Sequence, residues 1–151
     1  MLTAKTEIDI DVPMERVWEV LADYPGYTRL PGVTSAQVLR QGAEHPAGIG
    51  TLREVRLRGN TVVEEITGFE PPRRLDYRIT RSHPLKLLHE GGTMQLTPTE
   101  RGCRVVWSST LGVGVPLLGP ALTYPMRWLI ERTFKEILLF IKHDLEGSGS
   151  S

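Results

Sequence analysis

The chain has 151 residues, 40% hydrophobic and 24% charged, a globular composition that excludes disorder as the default state. Its 18 Lys and Arg residues balance 18 Asp and Glu residues, so it lacks the basic excess typical of nucleic-acid-binding proteins. Cys103 is the single cysteine, which excludes an intramolecular disulfide.

The first residues predict a strand followed by a short helix. Side chains alternate over residues 3–11, with Ile8 and Ile10 on one side, as in a half-buried strand. A helix begins near Pro13, which suits a first helical turn because its missing N–H needs no partner there. Two prolines and two glycines then follow within 25–32, and they end the helix and bend the chain.

The middle of the chain predicts six more strands. They are separated by turn residues and cover 33–39, 51–58, 61–69, 74–80, 92–98 and 103–111. Short turns between such segments favour an antiparallel meander with one solvent-exposed face.

From about Leu118 the apolar period changes to that of a long helix. Its apolar stripe comprises Leu122, Met126, Leu129, Ile130, Phe134, Ile137, Leu138, Ile141 and Leu145. Pro125 predicts a bend near its start. The glycine-rich segment 112–119 lacks the lysine of a phosphate-binding loop, and we interpret it as a flexible connection or a lid.

This order of elements predicts an α+β fold in one domain, residues 1–146, with 147–151 as a flexible tail or linker. One helix rarely fills the space beside a broad curved sheet, so the layout predicts an internal cavity. We see neither a signal peptide nor an apolar segment of bilayer-spanning length, and therefore expect a soluble cytoplasmic protein without an integral membrane segment, monomeric or homodimeric.

Four segments carry a family resemblance. VPMERVWEVLADYPGYTRLPGV (12–33) resembles the opening signature of the START-like, or SRPBCC, superfamily, which includes polyketide cyclase/dehydrase-like proteins. GFEPPRRLDYRI (68–79) and LTPTERGCRVVW (96–107) are similar to its hairpins, and LIERTFKEILLFIKHDLE (129–146) to its terminal helix. The resemblance implies a helix-grip fold, in which a curved seven-stranded antiparallel sheet wraps around the terminal helix and two short helices after the first strand form a cradle beneath it.

The resemblance also implies an elongated apolar pocket, but not one reaction, because members bind lipids, hormones, quinones or polyketides and some are enzymes. We expect the pocket lining to come from inward-facing strand residues and from the apolar stripe of the last helix. The predicted ligand-binding residues are Arg53, Val55, Leu57, Tyr77, Ile79, Met94, Leu96, Trp107, Leu122, Met126, Ile130 and Phe134. Two more aromatics, Tyr124 and Trp128, are candidates for the same wall.

Three residues are candidates for acid–base chemistry: Glu64, Tyr77 and His89. Strand alternation points Tyr77 inward. It points either Glu64 or Glu65 to the core side, where Arg53 either pairs with that carboxylate or receives an anionic oxygen of a ligand.

The alternation set by Met94 and Leu96 places Glu90 inward and His89 outward, so we interpret His89 as a surface residue unless the neighbouring glycines shift the strand. No compact pattern of His, Cys, Asp or Glu predicts a metal site, and we expect no cofactor.

Three functions remain open at this level. The first is a protein that binds a hydrophobic or aromatic small molecule, such as a lipid, a quinone or a polyketide-like compound, between the sheet and the last helix. The stretch DYPGYTRLPGV (23–33) is similar to ubiquinone-binding relatives. The second is an enzyme of the cyclase/dehydrase type, and the third a protein-interaction module with a filled core.

Overall fold

The computed structural model describes residues 1–114 and 119–148. Within them lie seven strands, two α-helices and one 3-10 helix. In chain order the elements are β1 (Leu2–Ile10), α1 (Met14–Ala22), the 3-10 helix (Tyr24–Arg29), β2 (Val33–Arg40), β3 (Leu52–Leu57), β4 (Asn60–Glu70), β5 (Arg74–His83), β6 (Leu87–Pro98), β7 (Cys103–Val113) and α2 (Gly119–Ser148).

The seven strands form one curved antiparallel sheet in the order β1-β7-β6-β5-β4-β3-β2, which confirms the predicted α+β fold. Strands β2 to β7 pair with their neighbours in sequence through connections that are short, except for residues 41–51 between β2 and β3. Strand β1 instead pairs with β7, from Leu2 opposite Leu111 to Ile10 opposite Cys103. The first and last strands are therefore neighbours.

The short helix pair owes its shape to the prolines and glycines that follow α1. Helix α1 buries Val17, Trp18 and Leu21 on one face. It ends where the Asp23 amide bonds the Val20 carbonyl, and Pro25 then starts the 3-10 helix. The proline's fixed φ suits this first turn.

Helix α2 covers the concave side of the sheet with its second half. The buried side chains are Phe134, Ile137, Leu138, Ile141 and Leu145. Together with the inward side chains of the strands and of α1 they form the core. The part of α2 that packs therefore lies within 129–146, the segment that resembles the family's terminal helix.

The start of α2 is different, since Leu122 is 41% exposed and Leu129 38% exposed. The predicted apolar stripe is thus wrong at these two positions, whose side chains are exposed. Residues 115–118 of the predicted connection lie outside the described residues. Two residues of the predicted tail, Gly147 and Ser148, continue α2, and 149–151 lie outside the described residues.

Candidate functional site

A cavity of about 140 Å³ lies between the sheet and α2. Its walls come from the end of α1, from the 3-10 helix and the residue after it, from strands β2 to β7 and from the buried face of α2. The lining residues are Leu21, Tyr27, Leu30, Val33, Arg53, Val55, Leu57, Val62, Glu64, Tyr77, Ile79, Leu87, Met94, Trp107, Ser109, Leu111, Ile130, Phe134, Ile137 and Ile141. Most of this surface is hydrocarbon, and the polar groups converge at one part of the wall.

Two charged residues lie in this wall, side by side on neighbouring strands. Arg53 on β3 is directly opposite Glu64 on β4. The Arg53 Nε donates to Glu64 Oε1 at 2.9 Å, and the two side chains are 2% and 11% exposed. The structure therefore decides which of the two glutamates faces the core. It is Glu64, whereas Glu65 is part-exposed beside Arg40.

Three tyrosine rings surround the Arg53 guanidinium. Its Cζ lies 4.8 Å from the ring centroid of Tyr24, 5.3 Å from that of Tyr27 and 5.2 Å from that of Tyr77. Such cation–π contacts offset part of the cost of burying the charge. Two of the three rings belong to the 3-10 helix, so the bends after α1 place aromatics against a buried arginine.

The hydroxyl of Tyr27 is bonded on both sides. It accepts a hydrogen bond from Arg53 Nη1 at 3.1 Å and donates to the Leu21 carbonyl near the end of α1. The Tyr24 hydroxyl donates to the Ala47 carbonyl at 2.6 Å. The tyrosines thereby connect the last turn of α1, the loop before β3 and the charged pair.

Burial and the neighbouring groups fix the ionisation states of this cluster. Burial lowers the pKa of the Arg53 guanidinium, but Tyr27 and Glu64 raise it by more, so its pKa stands above the ordinary value. Burial raises the pKa of the Tyr77 hydroxyl well above that of an exposed tyrosine. At neutral pH, Arg53 is therefore a cation and Tyr77 a neutral hydroxyl.

Tyr77 lies flat across the neighbouring strand because Gly92 is opposite it. The two residues are paired across β5 and β6. A Cβ added to Gly92 would lie 2.3 Å from Cζ of the Tyr77 ring. The indole Nε1 of Trp107 donates to the Tyr77 hydroxyl at 2.8 Å, which fixes the position of the oxygen in the cavity wall.

His89 is buried, so the prediction of a surface histidine with an inward Glu90 is wrong. A β-bulge shifts the register of β6 against β7 between His89 and Gly91, where Gly91 has φ 154°. The extra residue reverses the alternation, which places His89 inside at 8% exposure and Glu90 outside. The imidazole stacks on the ring of Tyr77, with centroids 5.6 Å apart.

Both imidazole nitrogens of His89 are bonded. The amide of Ile79 donates to Nδ1 at 3.0 Å, and Nε2 lies 2.7 Å from the Ser109 hydroxyl. Because Nδ1 accepts, the neutral ring carries its hydrogen on Nε2 and donates it to Ser109. Burial, with a smaller effect of Arg78, lowers the pKa of His89 to about 4.

Nine predicted ligand-binding residues lie in the cavity wall: Arg53, Val55, Leu57, Tyr77, Ile79, Met94, Trp107, Ile130 and Phe134. The acid–base candidate Glu64 joins them, whereas His89 lies behind Tyr77. The structure places Leu96 in the core outside this lining, Leu122 at the exposed start of α2, and Met126 beside Leu2 and Leu111 at a separate small pocket.

The other two predicted wall residues are also outside the cavity, since Tyr124 is 68% and Trp128 63% exposed. Helical spacing identified the apolar stripe but not which of its members are exposed. Sequence reasoning missed Tyr27 and Ser109 in the lining. Ser109 shares strand alternation with Trp107 and Leu111 and was accessible from that signal, whereas Tyr27 lies in a 3-10 turn with no period to place its ring.

Within residues 1–114 and 119–148, no three His, Cys, Asp or Glu side chains are grouped so as to hold a metal ion. The helices of the same residues include none that is both long and apolar enough to cross a membrane.

A family profile described as polyketide cyclase / dehydrase and lipid transport matches residues 1–146. No curated protein matches the chain. Among solved structures, a Thermus thermophilus protein is 22% identical with a TM-score of 0.78, over 99% of this chain and 100% of its own. The Zhui aromatase/cyclase of a Streptomyces species is 17% identical with a TM-score of 0.78, over 96% of this chain and 93% of its own.

A START superfamily protein of Mycobacterium smegmatis is 10% identical with a TM-score of 0.70, over 97% of this chain and 95% of its own. At these identities the structural matches establish the shared fold. The match to the family profile extends over almost the whole chain.

Proposed function

Because the chain belongs to the polyketide cyclase/dehydrase and lipid transport family, we propose that it binds a small, mainly apolar molecule in the cavity between the sheet and α2. The observation that carries this proposal is an apolar chamber whose polar groups converge at Arg53, Glu64 and Tyr77. Binding sites for small molecules have this character, with a hydrocarbon lining and a few placed polar groups that fix orientation.

The size of the cavity favours a compact ligand. A volume of about 140 Å³ is close to that of an apolar cavity able to hold a single benzene ring. An aromatic or polyketide-like compound of one ring fits this space. An intact prenyl quinone or a lipid with long acyl chains requires the cavity to enlarge, so we place these ligand classes second.

One observation supports the hypothesis of a cyclase/dehydrase activity, namely that Tyr77 lies in the cavity wall. Its other candidate groups are already engaged, because Glu64 is paired with Arg53 and the His89 lone pair accepts the Ile79 amide. A general base needs a free lone pair near the substrate and a pKa near the working pH. Binding without turnover is therefore our first choice, with a cyclase/dehydrase activity as the alternative.

If the protein were a protein-interaction module, we would expect a filled core and an exposed apolar patch. Exposed Leu122, Tyr124 and Trp128 agree with the second part, whereas the cavity disagrees with the first. A cytoplasmic location, a monomeric or homodimeric state and the absence of nucleic-acid partners and cofactors remain predictions.

Identification of a retained molecule tests the proposal. The wild-type protein is purified from its own source under native conditions, and its small molecules are extracted and identified by mass spectrometry. Val62→Phe fills the cavity from β4, while Val38→Phe makes the same change at a half-buried position on β2 outside the lining.

We expect a stoichiometric apolar compound in wild type and Val38→Phe, and its loss in Val62→Phe. The proposal fails if the extracts of all three proteins are empty and one-ring aromatic probes do not bind wild type. Retention of the compound by Val62→Phe at the wild-type level also contradicts it, because the ligand then lies elsewhere.

A further inference from the structure

We infer that the cavity selects neutral ligands bearing a hydrogen-bond-accepting oxygen, such as aryl ketones, and rejects carboxylates of the same shape. This inference rests on the proposed function and specifies its ligand class. It follows from the charges in the wall and from the direction of a single hydroxyl hydrogen.

The wall charges cancel each other. Among the described lining residues, the charged side chains are Arg53 and Glu64, one cation and one anion, joined by a 2.9 Å contact between Nε and Oε1. A ligand carboxylate would add a second anion beside Glu64 with no second cation to match it. In a chamber of low polarity, an unmatched charge is strongly disfavoured.

The faces of the guanidinium are also occupied. Rings of Tyr24, Tyr27 and Tyr77 lie within 5.3 Å of its Cζ, and Nη1 donates to the Tyr27 hydroxyl. The Nε–H already donates to Glu64 and one N–H of Nη1 donates to Tyr27, so a ligand carboxylate cannot form a bidentate pair along the edge that includes Nε. The charge of Arg53 is matched by Glu64 within the wall itself.

The Tyr77 hydroxyl supplies the hydrogen-bond donor. Its oxygen accepts the hydrogen of Trp107 Nε1, which is a donor and has no lone pair to offer in return.

His89, which stacks on Tyr77, does not accept the phenol hydrogen. The Ile79 amide occupies its Nδ1, and its Nε2 carries the ring hydrogen, which it donates to the Ser109 oxygen. No described residue accepts the Tyr77 hydrogen in a hydrogen bond, and Tyr77 is in the cavity wall. Its hydrogen is left for an acceptor on the ligand.

Three probes of nearly identical shape separate these factors. Acetophenone is neutral with a carbonyl acceptor, α-methylstyrene replaces the oxygen by a methylene group, and benzoate is an anion. Binding is followed by NMR through the indole N–H of Trp107, which donates to Tyr77 in the wall. The indole of Trp128, 63% exposed on α2, reports contacts elsewhere on the surface.

For wild type we expect acetophenone to bind at least about 100-fold more tightly than benzoate, the scale of an unmatched buried charge. The affinity for acetophenone should exceed that for α-methylstyrene by about 3- to 10-fold, the scale of one hydrogen bond. Tyr77→Phe should remove the preference for acetophenone over α-methylstyrene and keep the preference for acetophenone over benzoate.

Glu64→Gln should reverse part of the charge selectivity. It leaves Arg53 without its anion, and benzoate should then bind at least about 10-fold more tightly than to wild type. The matched control is Glu65→Gln, the same change at the next residue, whose side chain is 39% exposed beside Arg40. The double variant Arg53→Met with Glu64→Gln removes both charges and should exclude benzoate again. It is the variant to measure if Glu64→Gln alone does not fold.

Equal affinities of wild type for acetophenone and benzoate, with both moving the Trp107 resonance, overturn the inference while the proposed function stands. Unchanged benzoate binding by a folded Glu64→Gln protein also overturns it. If no probe moves the Trp107 resonance, the proposed function fails for one-ring ligands, and this inference fails with it.

Discussion

Arg53 and Glu64 face each other across β3 and β4, with Nε donating to Oε1 at 2.9 Å inside the protein. A buried ion pair of this kind adds little net stability over a well-packed apolar pair, but each partner depends strongly on the other. The stability of the domain is therefore sensitive to changes that remove one charge and keep its partner.

Arg53→Met should lower the free energy of unfolding by about 3–5 kcal/mol, because it leaves the Glu64 carboxylate unmatched in an apolar wall. Combining it with Glu64→Leu should restore much of that loss. Arg40→Met, at an exposed pair with Glu65, should cost less than about 1 kcal/mol. Urea unfolding of the four proteins measures these differences, and equal losses for Arg53→Met and Arg40→Met would show that burial does not govern the pair.

His89 should make the protein less stable as the pH falls from 7 to 5. Burial lowers the pKa of His89 to about 4 in the folded state, whereas the unfolded value is near 6.5. The unfolded chain therefore binds the proton first. The stability that neutral His89 contributes is complete above about pH 6.5, and it is lost as the pH falls toward 4.

Between pH 7 and pH 5 the expected loss from this group is about 2 kcal/mol. His89→Gln keeps an acceptor and a donor but does not titrate, so its stability should change less over this range. His143→Gln, on the exposed side of α2, should follow the wild type. Urea unfolding at several pH values measures this difference. Parallel curves of unfolding free energy against pH for wild type and His89→Gln would refute the prediction.

Gly92→Ala should displace the ring of Tyr77, since the added Cβ would lie 2.3 Å from Cζ of that ring. We expect a loss of about 1–3 kcal/mol of unfolding free energy and a shift of the Trp107 indole N–H resonance, because the hydrogen bond to Tyr77 changes. Gly147→Ala, with open space around its Cβ, is the control and should change neither quantity noticeably. An unmoved Trp107 resonance in Gly92→Ala would contradict the prediction.

Phe134 stacks on Trp107 with ring centroids 3.7 Å apart and planes at 8°. Phe134→Ala should lower the free energy of unfolding by about 3–5 kcal/mol and enlarge the cavity. The variant should admit a two-ring ketone, 1-acetonaphthone, more readily than wild type does. Phe140→Ala on the same helix removes a ring that is 38% exposed and should cost less than about 1 kcal/mol. Calorimetry and NMR titration with both ketones provide the measurement.

Strand alternation predicted much of the cavity wall, because β3 and β5 run through the site without interruption between Arg53 and Leu57 and between Leu75 and Ile79. It failed on β6, where one bulged residue reverses every side chain before it. The neighbouring glycines signalled that a bulge was possible, but not that it was present. His89 was assigned to the wrong face for that reason.

The period of α2 predicted a helix and its apolar face, yet not how far that face is covered. Phe134 is buried and Leu122 is not, although both belong to the same stripe. Burial depends on what packs against each turn of the helix, which is a tertiary property. The cluster around Arg53 was similarly inaccessible, since all three tyrosines are distant from Arg53 in sequence and two of them come from a 3-10 turn.

The pairing of β1 with β7 has a consequence for the order in which the chain acquires its structure. The strand that begins at Leu2 can pair only after Leu111, more than a hundred residues later in the chain, has been synthesised. Contacts so distant in sequence slow folding. On the ribosome, β1 and α1 emerge early, and we expect them to stay accessible to proteases and chaperones until residues 103–113 have left the exit tunnel. Arrested chains in which that segment is inside the tunnel should be far less resistant to proteases than chains in which it has left the tunnel.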